Sequence, residues 1–422
     1  MRVCFLLHQG SMYSGGQGIY LHHITRELVE LGHEVHVIAG PPYPEVVEDV
    51  VVYRIPNYSI YRLLETGRFF FFGRDPASFF HPLNFYEMAT SRAGMFSVMA
   101  AFSFRAYRKL RELAPALSFD IVHDVQGLGY GALLIKANGL PVVANIHHPL
   151  QVDRANRVRQ APNLGEMIKW LKFYPFWMQE IVARRIDRII TGSRSSAEFV
   201  ADAFRLPPKH ITAIYDGVES DVFRPLDVAR EPGTLLYVGN SDDRNKGARY
   251  LIEALALLKH RTDLHLTVVD RPIANLVPTL SSKLGVEHMV TLTGRLSRED
   301  LVSRYNRAQL FVSPSLYEGF GLPAAEAMSC GTPVLATTAG AYPEIIEDGK
   351  SGVLVPAGDA PALAAGIERT LDDAALQARL GKEGRKRIVD HFSWRNTAIG
   401  TQALYEEVLD ASRRRAARLA SR

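Results

Sequence analysis

Ser313-Pro314-Ser315-Leu316-Tyr317-Glu318-Gly319-Phe320-Gly321-Leu322-Pro323-Ala324-Ala325-Glu326-Ala327-Met328 follows the short apolar run Leu310–Val312 and leads into a segment that starts as a helix does. Pro323 suits the first helical turn, where its missing N–H leaves no bond unmade. Gly319 and Gly321 let a ligand come close to the backbone between strand and helix. The free N–H groups at the helix start, with the helix dipole, form an anion site. Glu318 lies just before that site and Glu326 about one turn into the helix. Carboxylates repel phosphate, so two of them beside a phosphate site suit hydroxyl binding. Taken alone, a solvated loop acid and a helix N-terminal acid explain the pair equally well.

Outward from this stretch the chain alternates strand and helix. Strands are expected at Val3–Leu7, Val35–Ala39, Ile121–Val122, Pro141–Ile146 and Arg188–Thr191, with a helix over Ile19–Leu31 whose apolar Leu21, Ile24, Leu28 and Leu31 share one face. Gly32 stops that helix. After the Pro- and Asp-containing stretch Phe223–Pro232 the pattern restarts. Strands are expected at Thr234–Val238, Leu264–Val269, Val290–Leu292, Leu310–Val312 and Pro333–Ala336, with a helix over Ala248–Lys259. Repeated strand–helix units predict parallel sheets covered by helices. The expected fold is α/β, with two Rossmann-like doubly wound domains facing across a cleft. The N-terminal domain spans 1–227 and the C-terminal domain 228–393. The remaining residues, 394–422, form a helix that crosses back to the N-terminal domain. Ligands of such sheets sit beyond the C-terminal ends of the strands.

Bulk composition narrows the function. The 422 residues are 47% hydrophobic and 22% charged, and the net charge is +4. That charge is too mild for the concentrated basic face of a nucleic-acid binder and compatible with an anionic substrate or a membrane surface. The two cysteines, Cys4 and Cys330, are too few for a zinc site and read as buried thiols in a reducing compartment. The start, Met1-Arg2-Val3-Cys4-Phe5-Leu6-Leu7, reads as a buried first strand rather than a secretory leader. No apolar run reaches the ~18–20 residues that span a bilayer. The expected location is cytoplasmic, with peripheral attachment to the inner face of a membrane as the variant.

The pattern Glu-Gly-Phe-Gly-Leu…Glu-Ala-Met-Ser-Cys-Gly-Thr-Pro-Val, with its glutamates at 318 and 326, resembles the signature of retaining glycosyltransferase family 4, which has the GT-B fold. Weaker companions occur in order over nearly the whole chain. They are Gly15-Gly16, His147 after the strand Pro141–Ile146, Tyr215-Asp216-Gly217-Val218…Phe223-Arg224-Pro225, Lys246-Gly247, and Pro343-Glu344…Gly352-Val353-Leu354-Val355. The resemblance implies transfer of a sugar from a nucleotide diphosphate sugar, a uridine diphosphate sugar first and guanosine diphosphate mannose next, to a hydroxyl acceptor. It also implies a role for each matching residue. Glu318 binds hydroxyls of the transferred sugar and Glu326 the ribose hydroxyls. Lys246 and the amides of Gly319, Phe320, Gly321 and Leu322 hold the diphosphate. Gly16 lets its loop approach donor and acceptor, and His147 bonds the sugar near its reacting carbon.

One position departs from the family. An arginine is usual directly after the glycine that ends the strand before the Lys-Gly loop, and here Asn240 follows Gly239. Arg244, in the same loop, is the expected substitute. No Asp-x-Asp motif asks for a metal, and no carboxylate stands as an evident nucleophile. Metal-independent, front-face displacement without a cofactor is the expected route.

Rival readings remain at this level. A nicotinamide enzyme lacks its glycine spacing, since Leu21 follows Gly16 and Gly18 at the third position, and its ribose acid, since the second strand ends Ala39-Gly40-Pro41. A sugar-nucleotide epimerase, a phosphorylase or a weakly catalytic nucleotide-sugar-binding relative share the fold. The aromatic segment Tyr58–Phe104, and Gly165–Ile190 with Trp170, Phe173, Tyr174, Phe176 and Trp177 beside Lys169 and Lys172, read either as core or as a face for a membrane or lipid-linked acceptor.

Overall fold

The structure is a computed structural model describing residues 1–10, 16–57, 81–147, 150, 154, 158, 161, 163–173, 176–271 and 274–421. Gly15, the first part of the aromatic segment, Tyr174, Pro175 and the Phe176 side chain lie outside the described residues. The chain divides into two compact units. One comprises Met1–Gly192, Ser196–Ile214 and Ala398–Arg422, and the other Ser193–Ser195 and Tyr215–Thr397.

The first unit is built on a seven-stranded sheet: β1 (Arg2–Leu7), β2 (Glu34–Ala39), β3 (Val51–Arg54), β4 (Ile121–Val125), β5 (Val142–Asn145), β6 (Arg188–Thr191) and β7 (Ile211–Ala213). Its order is β3-β2-β1-β4-β5-β6-β7, every pairing parallel. β1 and β4 are buried along nearly their whole length; β1 reads as an unbroken apolar run, whereas buried His123 and Asp124 interrupt that of β4. The flanking strands β3 and β7 carry no fully buried residue. They are three or four residues long and half-exposed; β3 does lie in the apolar run Val50–Tyr53, but neither stands among the expected strands. The helix Gln17–Glu30 returns the chain from β1 to β2 and buries Leu21, Ile24 and Leu28. Gly32 follows at φ +85°, a left-handed position that favours glycine.

The second unit carries β8 (Glu231–Val238), β9 (His265–Val269), β10 (Val290–Leu292), β11 (Ala308–Ser313), β12 (Val334–Thr337) and β13 (Val353–Val355), ordered β10-β9-β8-β11-β12-β13 and all parallel. Residues 215–227, ahead of the strand restart, also belong to it. Val218 N–H donates to Phe392 O at 2.8 Å, Ser329 Oγ to Phe223 O at 2.6 Å and Asn306 Nδ2 to Arg224 O at 3.0 Å. The last helix, Trp394–Ala420, places Tyr405 in the first unit, where its hydroxyl meets His123 Nδ1 at 2.6 Å.

Both sheets reverse their winding once, between β1 and β4 in the first and between β8 and β11 in the second. Each expected strand is present and both sheets are parallel, as the alternation predicted. Among the described residues no helix is long and apolar enough to cross a membrane.

Candidate functional site

The reversal point of the second sheet brings together the loops after β8 and β11. The β8 loop ends in a short 3₁₀ turn, Arg244–Lys246. Asn245 O pins it by accepting Leu316 N–H at 2.7 Å. Gly247 then stands at φ +65°, and a Cβ there would lie 1.9 Å from Pro314 O. Only glycine lets the Lys246 loop close down on the β11 loop.

Lys246 Nζ reaches Glu318 at 3.0 Å (Oε1) and 2.8 Å (Oε2). Both side chains are mostly covered, 31% and 12% exposed. Burial opposes the charge on Lys246, but the Glu318 carboxylate outweighs it and raises the lysine pKa. Lys246 therefore keeps its charge, with the Glu318 side chain placed directly against it. Glu318 also accepts from Ser315 Oγ at 3.3 Å, and its carbonyl accepts Ala341 N–H at 3.0 Å. A Cβ on Gly340 would sit 2.1 Å from that same carbonyl, so the glycine makes room for Glu318.

Beyond Glu318 the chain passes Gly319 and buried Phe320 to Gly321, which caps the helix Leu322–Ser329 at φ +97°. A Cβ on Gly321 would meet Tyr342 Cε1 at 2.5 Å. Glu326, half-buried on this helix, accepts Tyr305 Oη at 2.8 Å. Burial pushes its carboxyl up to about 7 against that bond and the charge of Arg298. Phe320 packs into the core beneath, with Tyr342, Ala324 and Phe392.

The other two candidates of this half part company. Arg244 is exposed and makes no side-chain hydrogen bond to a described residue. Asn240 is half-buried and its Oδ1 accepts from Arg271 Nη2 at 2.8 Å. Arg271 was absent from the sequence-based candidates, although it stands only two residues past the end of β9.

In the first unit, Gly16 (φ +71°) caps the helix that follows β1. His147 follows β5; its N–H donates to Gln126 Oε1 at 2.7 Å and its ring lies edge-on to Tyr20 at 4.9 Å. Burial lowers its pKa to about 4, so the imidazole is neutral at pH 7. Sequence reasoning missed the neighbours that fix it. Gln126 (φ +66°) and Leu128 (φ +46°) hold left-handed conformations in the β4 loop, where buried Asp124 accepts Gly127 N–H at 3.0 Å and Leu128 N–H at 2.8 Å. Such strain gathers at functional loops. No residue type signals it in advance.

The aromatic stretches divide. Phe102 is buried, and Trp170 and Phe173 pack on the core, the latter stacked on Phe96 at 5.5 Å between ring centres. Leu164, Ile168, Leu171 and Trp177 are exposed, Trp177 to 68%.

Comparison with known proteins adds an independent line. The description "Glycosyl transferases group 1" matches residues 219–387, and "Glycosyltransferase Family 4" matches residues 14–222. An MMP alpha-(1->4)-mannosyltransferase of Mycolicibacterium hassiacum is 36% identical over 415 residues, 97% of this chain and 98% of that protein. Among solved structures, a sucrose-phosphate synthase from Thermosynechococcus elongatus superposes with a TM-score of 0.72 at 22% identity over 97% of this chain and 100% of that one. Anabaena HepE, solved in complex with UDP-glucose, gives 0.67 at 18% identity over 97% and 100%.

Proposed function

The chain belongs to the glycosyltransferases of group 1 and family 4, enzymes of GT-B fold, and from that premise we propose that it moves a mannosyl group from a nucleoside diphosphate sugar to a hydroxyl acceptor with retention and without a metal. The observation that carries this reading is the Lys246–Glu318 pair at the reversal point of the second sheet, where open parallel sheets bind ligands. Mannose is favoured by the name of the 36% identical relative. Of the two donors weighed from sequence, guanosine diphosphate mannose is the one that carries that sugar, and it displaces the uridine diphosphate sugar as first choice.

The chemistry follows from charge. The bond between the anomeric carbon and the phosphate oxygen breaks, and its electron pair leaves with the diphosphate. The acceptor oxygen bonds to the same face of the sugar, and its proton passes to the departing phosphate oxygen. Donors fixed in advance at that phosphate are the strongest lever on such a barrier. Lys246 and the N–H groups at the start of the helix Leu322–Ser329 take this part. Glu318 accepts from sugar hydroxyls while steering the lysine, and ionised Glu326 accepts from the ribose. Neutral His147 can share one hydrogen bond with a substrate hydroxyl without adding charge beside the sugar. Epimerase and phosphorylase chemistry use the same fold. A mannosyltransferase relative that matches end to end supports transfer over either.

The exposed Leu164, Ile168, Leu171 and Trp177 beside Lys169 and Lys172 support an acceptor carried on a lipid or held at a membrane. The donor reading is tested by melting the protein with guanosine diphosphate mannose, uridine diphosphate glucose and their free diphosphates. A bound donor at ~100 times its dissociation constant adds about 2.7 kcal/mol, and turnover persists in excess chelator. No stabilisation by any of the four, or turnover that needs added magnesium or manganese, contradicts the corresponding half of the proposal.

A further inference from the structure

β8 and β9 run parallel and in register, Val238 opposite Val269. Asn240 and Arg271 each stand two residues past that pair, so they face each other on neighbouring loops. Neighbouring strands lie about 4.8 Å apart, a gap an arginine side chain spans easily. One carboxylate ties the two loops. Asp270 Oδ2 accepts Ser241 N–H at 2.6 Å and Ser241 Oγ at 2.5 Å, and Asp270 Oδ1 accepts Arg271 N–H at 2.5 Å. Onto this clamp Arg271 lays its guanidinium, with Nη2 donating to Asn240 Oδ1 at 2.8 Å.

The partner is an amide, so the cation keeps its charge. Among the described residues its one ion-pair partner within 4 Å is Asp242, whose Oδ2 lies 3.9 Å away. Asp242 is itself occupied, its Oδ1 accepting Asn275 N–H at 3.1 Å and Leu276 N–H at 2.9 Å. Arg271 Nε is shielded from solvent and finds no partner among the described residues. Lys246 differs, because Glu318 lies directly against it. The position after Gly239 therefore has a guanidinium resting on it, delivered from the next strand instead of from residue 240. An arginine at both places would set two like charges side by side, which accounts for asparagine at 240.

We propose that Arg271, oriented by Asn240, is the arginine that binds the donor's diphosphate, in place of both the family's residue and the exposed Arg244. The proposal rests on the nucleoside diphosphate sugar reading above. A guanidinium offers a planar fork matched to phosphate oxygens, and Asn240 uses one N–H while fixing the plane.

Calorimetric titration of wild-type, Arg271→Ala, Arg244→Ala and Arg271→Ala/Asn240→Arg with guanosine diphosphate and guanosine monophosphate separates the outcomes. Arg271→Ala weakens the diphosphate about tenfold to a hundredfold, the range for a hydrogen bond to a charged group. It weakens the monophosphate less, and Arg244→Ala leaves both nearly unchanged. The double variant regains most of the loss, a rescue that a purely structural role for Arg271 does not give. Equal diphosphate affinity in wild-type and Arg271→Ala overturns the proposal, as does an equal loss on both nucleotides. A wild-type protein that binds no nucleotide of either the guanosine or the uridine series overturns the underlying donor reading instead.

Discussion

Lys246 Nζ lies 2.8 Å from Glu318 Oε2, a contact made across 72 residues of chain between the loops of two adjacent strands. Glu318 already holds the lysine, so a free diphosphate must compete with it for that cation. This sets opposite signs for two substitutions. Lys246→Ala weakens guanosine diphosphate binding, by about 1.5–3 kcal/mol for a charged hydrogen bond. Glu318→Gln tightens binding of the free diphosphate while lowering turnover of the sugar nucleotide. Titration and rate measurement on the same preparations check this. A weaker diphosphate complex in Glu318→Gln contradicts the competition.

Glu326 sets a pH dependence. Its folded pKa, about 7, stands above the ordinary carboxyl value of 4.5 because of burial. Between those values the folded chain binds more protons than the unfolded one, so this residue's contribution to stability falls as pH rises from 4.5 to 7. Glu326→Gln should flatten that part of the profile. Ligand affinity runs the other way, since a ribose hydroxyl donates to the carboxylate. Guanosine diphosphate affinity, taken relative to Glu326→Gln to cancel titration of the phosphate, rises through pH 7. A constant ratio between pH 6 and 8 removes Glu326 from ribose binding.

Three histidines make the first unit acid-sensitive. His8, His123 and His147 are depressed from 6.5 to about 4, 3 and 4 by burial, His123 also by the charge of His147. The unfolded chain takes up these protons first, so stability is fully present above pH 6.5 and is lost as pH falls towards 4. His123→Phe removes one proton from that uptake at the cost of its contact with Tyr405. Its melting temperature should be lower at pH 7 and fall less steeply with acid than the wild-type's, as calorimetry at stepped pH reads. Parallel profiles refute the assignment.

If the exposed face of the helix Leu164–Phe173 meets anionic lipid, the protein pellets with anionic vesicles at low salt and is released as salt rises, since charges are screened within about 10 Å at 0.1 M. Lys169→Glu/Lys172→Glu abolishes pelleting and leaves turnover with a soluble acceptor unchanged. A protein that stays in the supernatant with every lipid composition leaves the acceptor a soluble molecule.

The sheets and the second-unit site were legible because their signals are local. β1, β8 and β11 are apolar runs, and Gly247, Glu318, Gly321 and Glu326 stand at fixed short spacings around turns. β3 and β7 were not among the expected strands: Val50–Tyr53 and Ile211–Ala213 do favour strand, but both are short and half-exposed, and only their pairing distinguishes them from loop. Arg271 escaped for a related reason. Its link to Asn240 depends on the register of two strands, which the sequence shows only once Val238 and Val269 are known to pair. A cation two residues past the end of a strand neighbouring the reversal point is the signal that could have found it. The strained Gln126 and Leu128 left no such mark, since neither residue type favours a positive φ and the bonds around them, from Gly127 and Leu128 N–H to Asp124 and from Gln126 N–H to Asn145 O, appear only in the fold.

The most direct measurement is release of nucleoside diphosphate from guanosine diphosphate mannose and uridine diphosphate glucose by the wild-type and Glu318→Ala proteins, alongside their melting temperatures. The account predicts release by the wild-type, fastest from the mannosyl donor, and a loss of about a hundredfold or more in Glu318→Ala, of the size seen when a charge-stabilising group is removed from an active site. Melting should shift by only a few degrees, since the Lys246 side chain, 31% exposed, keeps access to water when Glu318 is removed. Release from neither donor by the wild-type, or wild-type release by a folded Glu318→Ala protein, contradicts it.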